Sequence, residues 1–321
     1  MGAFILQRLA RAVVTIFGVM LLTFVLFRVV AGDISANYLA SDASPDQRQR
    51  FYRQHALDRP LLVDATKPIT SPAFWDSQFT RHLIDSVTLR ATSYATGQSV
   101  GRMIAERAPY SLALTMPALA IGWLAALTIA LLIAHYRNTW LDRLAVLLTT
   151  LGMCVPLLAY MIVGQWIVFR IVPAAAWGLR NVSNIYVPVA IAVLASIGGN
   201  VRLYRTIILD EITRDYVRTA RAKGAPLSRV LLGHVLPNCM LPILTQLVMA
   251  IPFLIMGSLL LESFFGIPGL GGQLVTSISR RDVPIVTALT FVTAVLYVTG
   301  LLATDILYAV FDPRVRLKPR A

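Results

Sequence analysis

The sequence predicts an all-α polytopic membrane protein with six transmembrane helices. Of its 321 residues, 57% are hydrophobic and only 14% are charged, and the mean hydropathy is +0.68, which excludes an ordinary soluble domain. Apolar runs of about 20 residues, the length that crosses roughly 30 Å of hydrocarbon as a helix, occur six times along the chain. These runs are residues 10–31, 111–134, 144–169, 186–206, 238–261 and 284–310.

The first apolar run has two interpretations. A secretory signal has a basic front, here Arg8 and Arg11, and a short apolar stretch that ends at a cleavage site. The run in this chain is longer than such a stretch, and Arg28 stands at its end without a convincing cleavage site. We therefore assign residues 1–31 as a cytoplasmic N-terminus and an uncleaved first transmembrane helix.

Basic residues set the predicted orientation. Six spans place both termini on one side of the membrane. With that side in the cytoplasm, its segments hold 15 of the 29 Lys and Arg residues but only five acidic ones. An excess of Lys and Arg marks cytoplasmic loops, so both termini are predicted to be cytoplasmic. The formal charge of +13 then reflects topology, and no nucleic acid partner is predicted.

The remaining boundaries follow from these spans. Residues 32–108 form a nearly neutral extracytoplasmic segment, residues 109–310 form a five-helix core, and residues 311–321 form a cytoplasmic tail. The core includes a cytoplasmic loop at 207–236 and an outer loop at 262–283.

Short helices are expected in the extracytoplasmic segment, packed over the outer mouth of the helix bundle. The pairs Ser44-Pro45 and Ser71-Pro72 are typical helix starts, because Ser caps a helix and Pro fits its first turn. An extended loop is the alternative, but long loops without structure are uncommon in compact domains.

The cytoplasmic loop predicts two helices joined by a tight turn. Residues 210–223 read as a helix that continues inward from the fourth span, and Gly224 suits the left-handed stop that ends a helix. Pro226 fits the first turn of a second short helix at 227–235, and Pro237 leads into the next span. Such an element fits a groove on a partner protein. The alternative is a basic loop that only fixes orientation.

Several motifs carry a resemblance to a known family. The run DYVRTARAKG is followed, ten residues after its glycine, by His234 and then LPN. The segments LESFFGIPGLGGQLVTSISRRDVPIV and DILYAVFDPRVR follow later in the chain. Together they resemble the inner-membrane permeases of binding-protein-dependent ABC importers, specifically the first (B-type) of two paralogous permease subunits in the dipeptide, oligopeptide and nickel branch. The chain departs from that pattern in Ala31-Gly32-Asp33-Ile34, where the family has Pro-Gly-Asp-Pro, and in Pro237, where Arg is frequent.

The resemblance implies a type I importer fold, a function and a set of partners. The chain would form a heterodimeric pore with a paralogous permease in the bacterial inner membrane, above two ATP-binding subunits and below an extracytoplasmic solute-binding protein. The implied cargo is di- or oligopeptides, with nickel or a nickel chelate as the alternative. The chain has no G-x-x-x-x-G-K-[ST] phosphate loop, so ATP and Mg are expected in partner subunits. No catalytic residue, metal site or cofactor of its own is predicted. An ATP-independent channel or carrier is a more distant alternative, which the near absence of carboxylates within the spans disfavours.

Two groups of site residues follow from the resemblance and the local chemistry. The residues predicted to contact the ATP-binding subunit are Asp215, Arg218, Ala220, Arg221, Gly224, Ala225, Pro226, Leu227, Ser228 and His234. His234 has a structural interpretation of equal weight. The outer-gate and pathway candidates are Glu262, Phe265, Gly266, Pro268, Gly269, Arg280, Arg281 and Asp282, with pairing among the charged members as the alternative. Arg28 is expected to reach toward the membrane interface. Gly198-Gly199 is expected to allow close helix packing, with bending of the helix during transport as the alternative.

Overall fold

A computed structural model of the chain describes residues 2–30, 35, 38–39, 43–171 and 185–311. Within these ranges the regular structure is helical. The described residues form no β-strand, and the β-type pairing that they show is an isolated bridge between Thr92 and Ser99. The all-helical prediction is therefore confirmed. Two features that the sequence singles out lie outside the described residues. They are residues 31–34, where the chain departs from the family pattern, and residues 312–321 of the predicted tail.

Fourteen α-helices follow one another along the described residues. They are α1 (Gly2–Phe24), α2 (Pro45–Gln54), α3 (Gln78–Thr88), α4 (Val100–His135), α5 (Trp140–Cys154), α6 (Leu157–Ile171), α7 (Tyr186–Ile212), α8 (Asp215–Ala222), α9 (Leu227–Val230), α10 (Leu236–Met249), α11 (Ile251–Met256), α12 (Leu259–Phe265), α13 (Leu270–Ser279) and α14 (Val283–Phe311). A π-helical turn at Val25–Val30 extends α1, and another at Leu231–Val235 joins α9 to α10.

Five helical stretches of the described chain are long and apolar enough to cross a membrane. They are Leu6–Arg28, Val100–His135, Tyr186–Ile212, Leu227–Met249 and Val283–Ile306. Two further pairs, α5 with α6 and α12 with α13, pass the same test together, but each is bent by more than 40°. The described residues thus offer between five and seven spans, and the predicted six lies inside that range.

The third predicted span is not one straight helix. Residues 144–169 were expected to cross without interruption, but α5 and α6 meet at an angle of 99°. Pro156 is the cause, because a residue that precedes proline is disfavoured in the α conformation. Val155 accordingly has a ψ of 120°. Across the break, the hydroxyl of Tyr160 donates a hydrogen bond of 2.9 Å to the carbonyl oxygen of Gly152.

The fifth predicted span is displaced toward the N-terminus. We expected residues 238–261, with a separate short helix before Pro237, but one apolar helical stretch runs from Leu227 to Met249. A proline ring clashes with the carbonyl group four residues earlier, and the π turn Leu231–Val235 widens the backbone around that carbonyl. Beyond Met249 the path is broken again at Gly257, which has a φ of +70°.

The helix expected at residues 210–223 is also interrupted. The helix α7 ends at Ile212, and Arg214 is extended, with a ψ of 151°, before α8 begins. The hydroxyl of Thr213 donates to the carbonyl oxygen of Asp210 at 2.8 Å. Threonine side chains that bond to nearby backbone in this way compete with helix formation.

One compact unit of the chain comprises residues 1–108 and 273–299. In it α1 packs on α3, with 5.1 Å between the ring centroids of Phe24 and Phe79. The start of α2 is as predicted, because Ser44 caps the helix in a reciprocal capping box. The start at Ser71 is also present, but the helix that it caps is a 3₁₀ helix of only three residues, Pro72–Phe74. The helix α3 begins at Gln78, where the side chain of Ser77 accepts a hydrogen bond from a backbone amide.

The second compact unit comprises residues 109–272 and 300–321. Its centre is α7, which packs against α5 at Gly198, where an added Cβ would lie 2.7 Å from the carbonyl oxygen of Thr149. The same pair of helices is joined by a largely buried ion pair between Asp142 and Arg205, with 2.8 Å between Oδ1 and Nη2. The α5–α7 contact is therefore both closely packed and charge-linked.

Candidate coupling elbow and outer loop

The helices α8 and α9 form a sharp elbow, which we define as residues 215–230. The turn between them depends on Gly224, whose φ of +82° is a left-handed conformation that favours glycine. The amide of Gly224 donates to the carbonyl oxygen of Arg221 at 2.9 Å, and the amide of Ala225 donates to that of Ala220 at 3.3 Å. These bonds satisfy carbonyl groups at the end of α8. The glycine stop predicted from the sequence is present.

The elbow is attached to the helix bundle through a buried apolar root. Val217 on α8 and Val230 on α9 are 2% and 0% exposed. They belong to one hydrophobic cluster with Tyr204 and Ile208 of α7 and with Val235. Because protein interiors are close-packed and resist deformation, a force on the elbow would be carried into α7 and α10.

The outer surface of the elbow presents most of the predicted coupling residues to solvent. Three apolar members, Ala220, Ala225 and Leu227, are partly buried against the cluster below. The exposed members are Asp215, Arg218, Arg221, Gly224, Pro226 and Ser228. The structure therefore collects these residues on one short element. Whether they contact an ATP-binding subunit stays a prediction.

A polar network ties α8 to its neighbours on both sides. The hydroxyl of Tyr216 donates to Oε1 of Glu211 at 2.9 Å, and the side-chain amide of Asn238 donates to the Tyr216 oxygen at 3.4 Å. Partial burial, together with the hydrogen bond to the Glu211 carboxylate, raises the pKa of Tyr216 to about 12. The phenol therefore stays protonated and keeps donating at any physiological pH.

His234 lies apart from the elbow, in the π turn. Its side chain is exposed, and its carbonyl oxygen accepts a 2.7 Å hydrogen bond from the amide nitrogen of Asn238. This contact involves the backbone of His234 and not its ring, so both interpretations of the side chain stay predictions.

The outer loop is organised around a buried carboxylate. Glu262 is 0% exposed, and its Oε1 accepts a hydrogen bond of 2.7 Å from the hydroxyl of Ser111. Its Oε2 accepts from the amide of Gly272 at 2.9 Å. The Ser111 oxygen in turn accepts from the amide of Leu270 at 2.8 Å. Glu262 thus joins α4, α12 and the start of α13 in this conformation, and it is not exposed to an open passage.

Glycines in the outer loop leave room for this carboxylate. A Cβ on Gly257 or on Gly269 would overlap the Glu262 side chain, and one on Gly271 would lie 2.9 Å from the amide nitrogen of Leu259. Gly266 has a φ of +64° and ends α12. The glycine-rich sequence is therefore explained by close approach to the Glu262 carboxylate and by the 86° bend between α12 and α13.

The other pathway candidates divide between buried and exposed positions. Phe265 is buried in the cluster of α4, α6 and α7 side chains, while Gly266 and Pro268 are exposed. The exposed Arg280 and Arg281 accept hydrogen bonds from the Tyr38 hydroxyl through their carbonyl oxygens, at 3.4 and 2.9 Å.

Asp282 occupies a buried position at the end of the predicted outer loop. Its carboxylate accepts a hydrogen bond from the hydroxyl of Ser93 and one of 3.1 Å from the amide of Tyr94. These contacts link the start of α14 to the segment that is predicted to be extracytoplasmic. The predicted pathway role of these charged residues stays a prediction.

Sequence reasoning missed two charged anchors. The sequence places Asp142 and Arg205 only as members of basic cytoplasmic segments, yet two nitrogen atoms of Arg205 donate to the Asp142 carboxylate. The Oδ2 atom of Asp142 also accepts a hydrogen bond of 3.1 Å from the backbone amide of Asn138. The reach of Arg28 toward the membrane interface stays a prediction, and the partner that the sequence did not indicate is Tyr94, whose hydroxyl accepts from Nη2 of Arg28 at 2.8 Å. A signal for the first pair was available, since carboxylates and guanidinium groups in apolar surroundings pair with one another. Among the described residues, no group of three His, Cys, Asp or Glu side chains is placed to hold a metal ion.

Long apolar helices, two bent pairs and an exposed elbow define a multi-pass helical membrane protein. Comparison with known proteins then shows that the chain belongs to the family described as binding-protein-dependent transport system inner membrane component, which matches residues 111–317. The N-terminal component of the same transport systems matches residues 1–115. The predicted resemblance is thereby confirmed. Membership also implies that further subunits assemble with this chain in a transport system.

Relatives from several bacteria cover almost the whole chain. The dipeptide transport system permease protein of Lactococcus lactis subsp. cremoris is 32% identical over 325 residues, which is 99% of this chain and 100% of the relative. The dipeptide transport system permease protein of Bacillus subtilis is 28% identical over 321 residues, or 99% of each chain. The oligopeptide transport system permease protein of Haemophilus influenzae is 28% identical over 317 residues, or 98% of this chain and 99% of the relative.

Proposed function

We propose that this chain is a translocation subunit of a peptide importer and that its elbow connects it to a subunit that hydrolyses ATP. The peptide cargo is supported by the relatives described above, which carry dipeptide or oligopeptide in their names and align from end to end. Their names favour peptides over the nickel alternative.

The observation that carries the coupling role is the contrast between the two sides of the elbow. Its outer side exposes Arg218, Arg221 and Ser228, which can form charge-assisted and neutral hydrogen bonds with a partner. On its inner side, Val217 and Val230 pack in the hydrophobic core of the helix bundle. An element that is exposed on one side and fixed in the core on the other can transmit a displacement of a bound partner to the transmembrane helices.

The assembly proposed around this chain comprises a paralogous permease, two ATP-binding subunits and an extracytoplasmic solute-binding protein in a bacterial inner membrane. Both termini face the cytoplasm, which is supported by the excess of Lys and Arg in the predicted cytoplasmic segments. The chain itself is non-catalytic and binds no cofactor, while the partner subunits bind ATP and Mg. The sequence supports this division because it contains no phosphate-binding loop.

The test is an exchange of Gly224 for Asp. An added Cβ at Gly224 meets no atom within 4 Å, so the packing survives, but the φ of +82° strains any other residue and the change adds a negative charge to the proposed contact surface. Gly224→Asp should insert into the membrane at wild-type levels and lose ATP-driven dipeptide uptake.

Gly97→Asp is the matched control for this variant. Gly97 lies in the extracytoplasmic segment, has a φ of +69°, and also has no atom within 4 Å of an added Cβ. It therefore receives the same strain and the same charge at a site outside the elbow, and uptake should persist. Wild-type uptake by Gly224→Asp would contradict the coupling role.

A further inference from the structure

A polar cavity lies within the unit formed by residues 1–108 and 273–299. Its volume is about 160 Å³, which is enough for several waters or a small ligand. Its wall contains residues of the π-helical turn Val25–Val30, the end of α2, α3, the start of α14 and the segment before α4. The Arg, His, Asp and Tyr side chains that line it are Arg28, Arg81, Arg90, His55, His82, Asp85 and Tyr94. Three guanidinium groups therefore face a single carboxylate.

Arg28 is the key donor in this wall. Its Nη2 donates to the hydroxyl of Tyr94 at 2.8 Å, and its guanidinium carbon lies 5.9 Å from the centroid of the Tyr94 ring. Its Nε and Nη1 atoms are buried and make no hydrogen bond within the described part of the chain. Buried donors without an acceptor are unfavourable, so the arrangement favours a ligand that accepts hydrogen bonds.

The two histidines in the wall carry no charge at neutral pH. Burial, and secondly the positive charge of Arg28, lowers the pKa of His82 to about 4. The same two causes lower the pKa of His55. Burial raises the pKa of Asp85, although Arg81 and Arg28 oppose this shift. At neutral pH the histidines are neutral, and the arginines dominate the field inside the cavity.

We propose that this cavity binds an oxyanion, a carboxylate or a phosphate, through Arg28 and Tyr94. The planar guanidinium group matches both anions in geometry, and the Tyr94 oxygen, which accepts from Arg28, still has a proton to donate. The inference rests on the proposed function, which places this segment outside the cytoplasm. Two sources of the oxyanion are then available, namely the free C-terminus of a short peptide and the headgroup of a phospholipid.

The test uses the full chain with ¹³C-labelled histidine in dodecyl maltoside micelles, which contain no phosphate. The chain has four histidines, so the His82 signal can be assigned with one His82→Gln sample. An anion bound beside Arg28 offsets its charge, and the pKa of His82 should rise from its starting value. A rise with dialanine and none with dialaninamide assigns the site to peptide carboxylates. A rise in micelles to which phosphatidylglycerol is added assigns it to lipid phosphate.

Variants separate the site from a general effect of charge. Arg28→Gln should abolish the shift, and Arg48→Gln, which removes an exposed arginine from α2 outside the cavity, should keep it. Should Arg28→Gln fail to fold, Tyr94→Phe serves instead, because it keeps Arg28 and should weaken binding by roughly tenfold. A His82 pKa that moves with neither anion, or that moves equally in Arg28→Gln, overturns the proposal.

A parallel measurement of ATP-driven dipeptide uptake by the whole transport system separates the two claims. Uptake without any anion-dependent shift of His82 would overturn the oxyanion site and leave the proposed function standing. An Arg28-dependent shift without uptake would support the site and contradict the proposed function.

Discussion

At the scale of single residues, the unit built around α7 depends on one buried ion pair. The side chain of Asp142 is 8% exposed and that of Arg205 is 24% exposed. Two nitrogen atoms of Arg205 approach the Asp142 carboxylate at 2.8 to 3.1 Å. Removing one partner of a buried pair leaves the other charge without compensation, which costs far more than the loss of an exposed pair.

Asp142→Asn should therefore destabilise the chain by about 3 kcal/mol. The control is Glu106→Gln, which breaks the exposed Arg102–Glu106 pair, whose side chains are 77% and 50% exposed. That change should cost less than about 1 kcal/mol. Thermal unfolding in detergent measures both. Equal losses of stability in the two variants would show that the Asp142–Arg205 pair does not anchor α5 to α7.

His82 predicts a dependence of stability on pH. Its pKa is about 4 in the folded chain and 6.5 when unperturbed. The unfolded chain therefore binds a proton more readily, and stability should fall as the pH drops from about 6.5 toward 4. His82→Gln should reduce this acid sensitivity, whereas His234→Gln, at an exposed site, should not. Identical pH profiles of unfolding for wild type and His82→Gln would contradict the burial of this ring.

At the residue scale, the sequence predicted helix caps and turns correctly, but it did not predict hydrogen bonds between residues far apart in the chain. The cap at Ser44 and the left-handed turn at Gly224 follow from short-range backbone preferences, and both are present. The Ser111 hydroxyl that donates to Glu262 and the Tyr94 amide that donates to Asp282 are each more than 150 residues away in sequence. No local pattern specifies such a pairing, so the sequence left a place beside the pathway and pairing among the charged residues as alternatives, and the structure adds buried partners for both carboxylates.

At the scale of helices, the lengths of the apolar runs predicted the transmembrane helices well. They did not predict where those helices bend. Pro156 divides the third predicted span and the π turn before Pro237 joins two predicted helices into one. Proline therefore acted as a break in one helix and was accommodated in the other. The difference depends on whether the backbone around the affected carbonyl can widen, which a single sequence does not encode.

The glycine pair in α7 gives a prediction at this scale. A Cβ on Gly198 would lie 2.7 Å from the carbonyl oxygen of Thr149 on α5, while one on Gly199 would meet no atom within 4 Å. Gly198→Ala should force α5 away from α7 and destabilise the chain by about 1–3 kcal/mol. Gly199→Ala should be neutral or stabilise by less than about 1 kcal/mol.

The two glycines are adjacent in one helix, so helix propensity cancels in the comparison of their unfolding temperatures. Comparable unfolding temperatures for the two alanine variants would contradict close packing at Gly198. They would favour the other interpretation of this pair, in which the glycines allow α7 to bend during transport.

At the scale of the whole molecule, the sequence identified the membrane class from composition alone and the transport family from its motifs. Both are confirmed by the helical structure and by the family match. The elbow follows from Gly224 and the prolines and basic residues near it, because its defining features are local; its position on the cytoplasmic side stays a prediction. Its partners lie on other chains, so their identity is a proposal that an experiment on the assembled system must test.

The most direct measurement is site-specific crosslinking from the elbow in membranes that contain the complete transport system. With the exposed Cys154 replaced by Ser and the buried Cys239 retained, a single reactive cysteine is placed either at Ser228 on the elbow or at Thr70 in the extracytoplasmic segment, both of which are exposed. Ser228→Cys should capture an ATP-binding subunit, with a yield that changes when ATP is added, and Thr70→Cys should capture none. Capture from Thr70→Cys together with none from Ser228→Cys would contradict the proposal that the elbow links this chain to its source of energy.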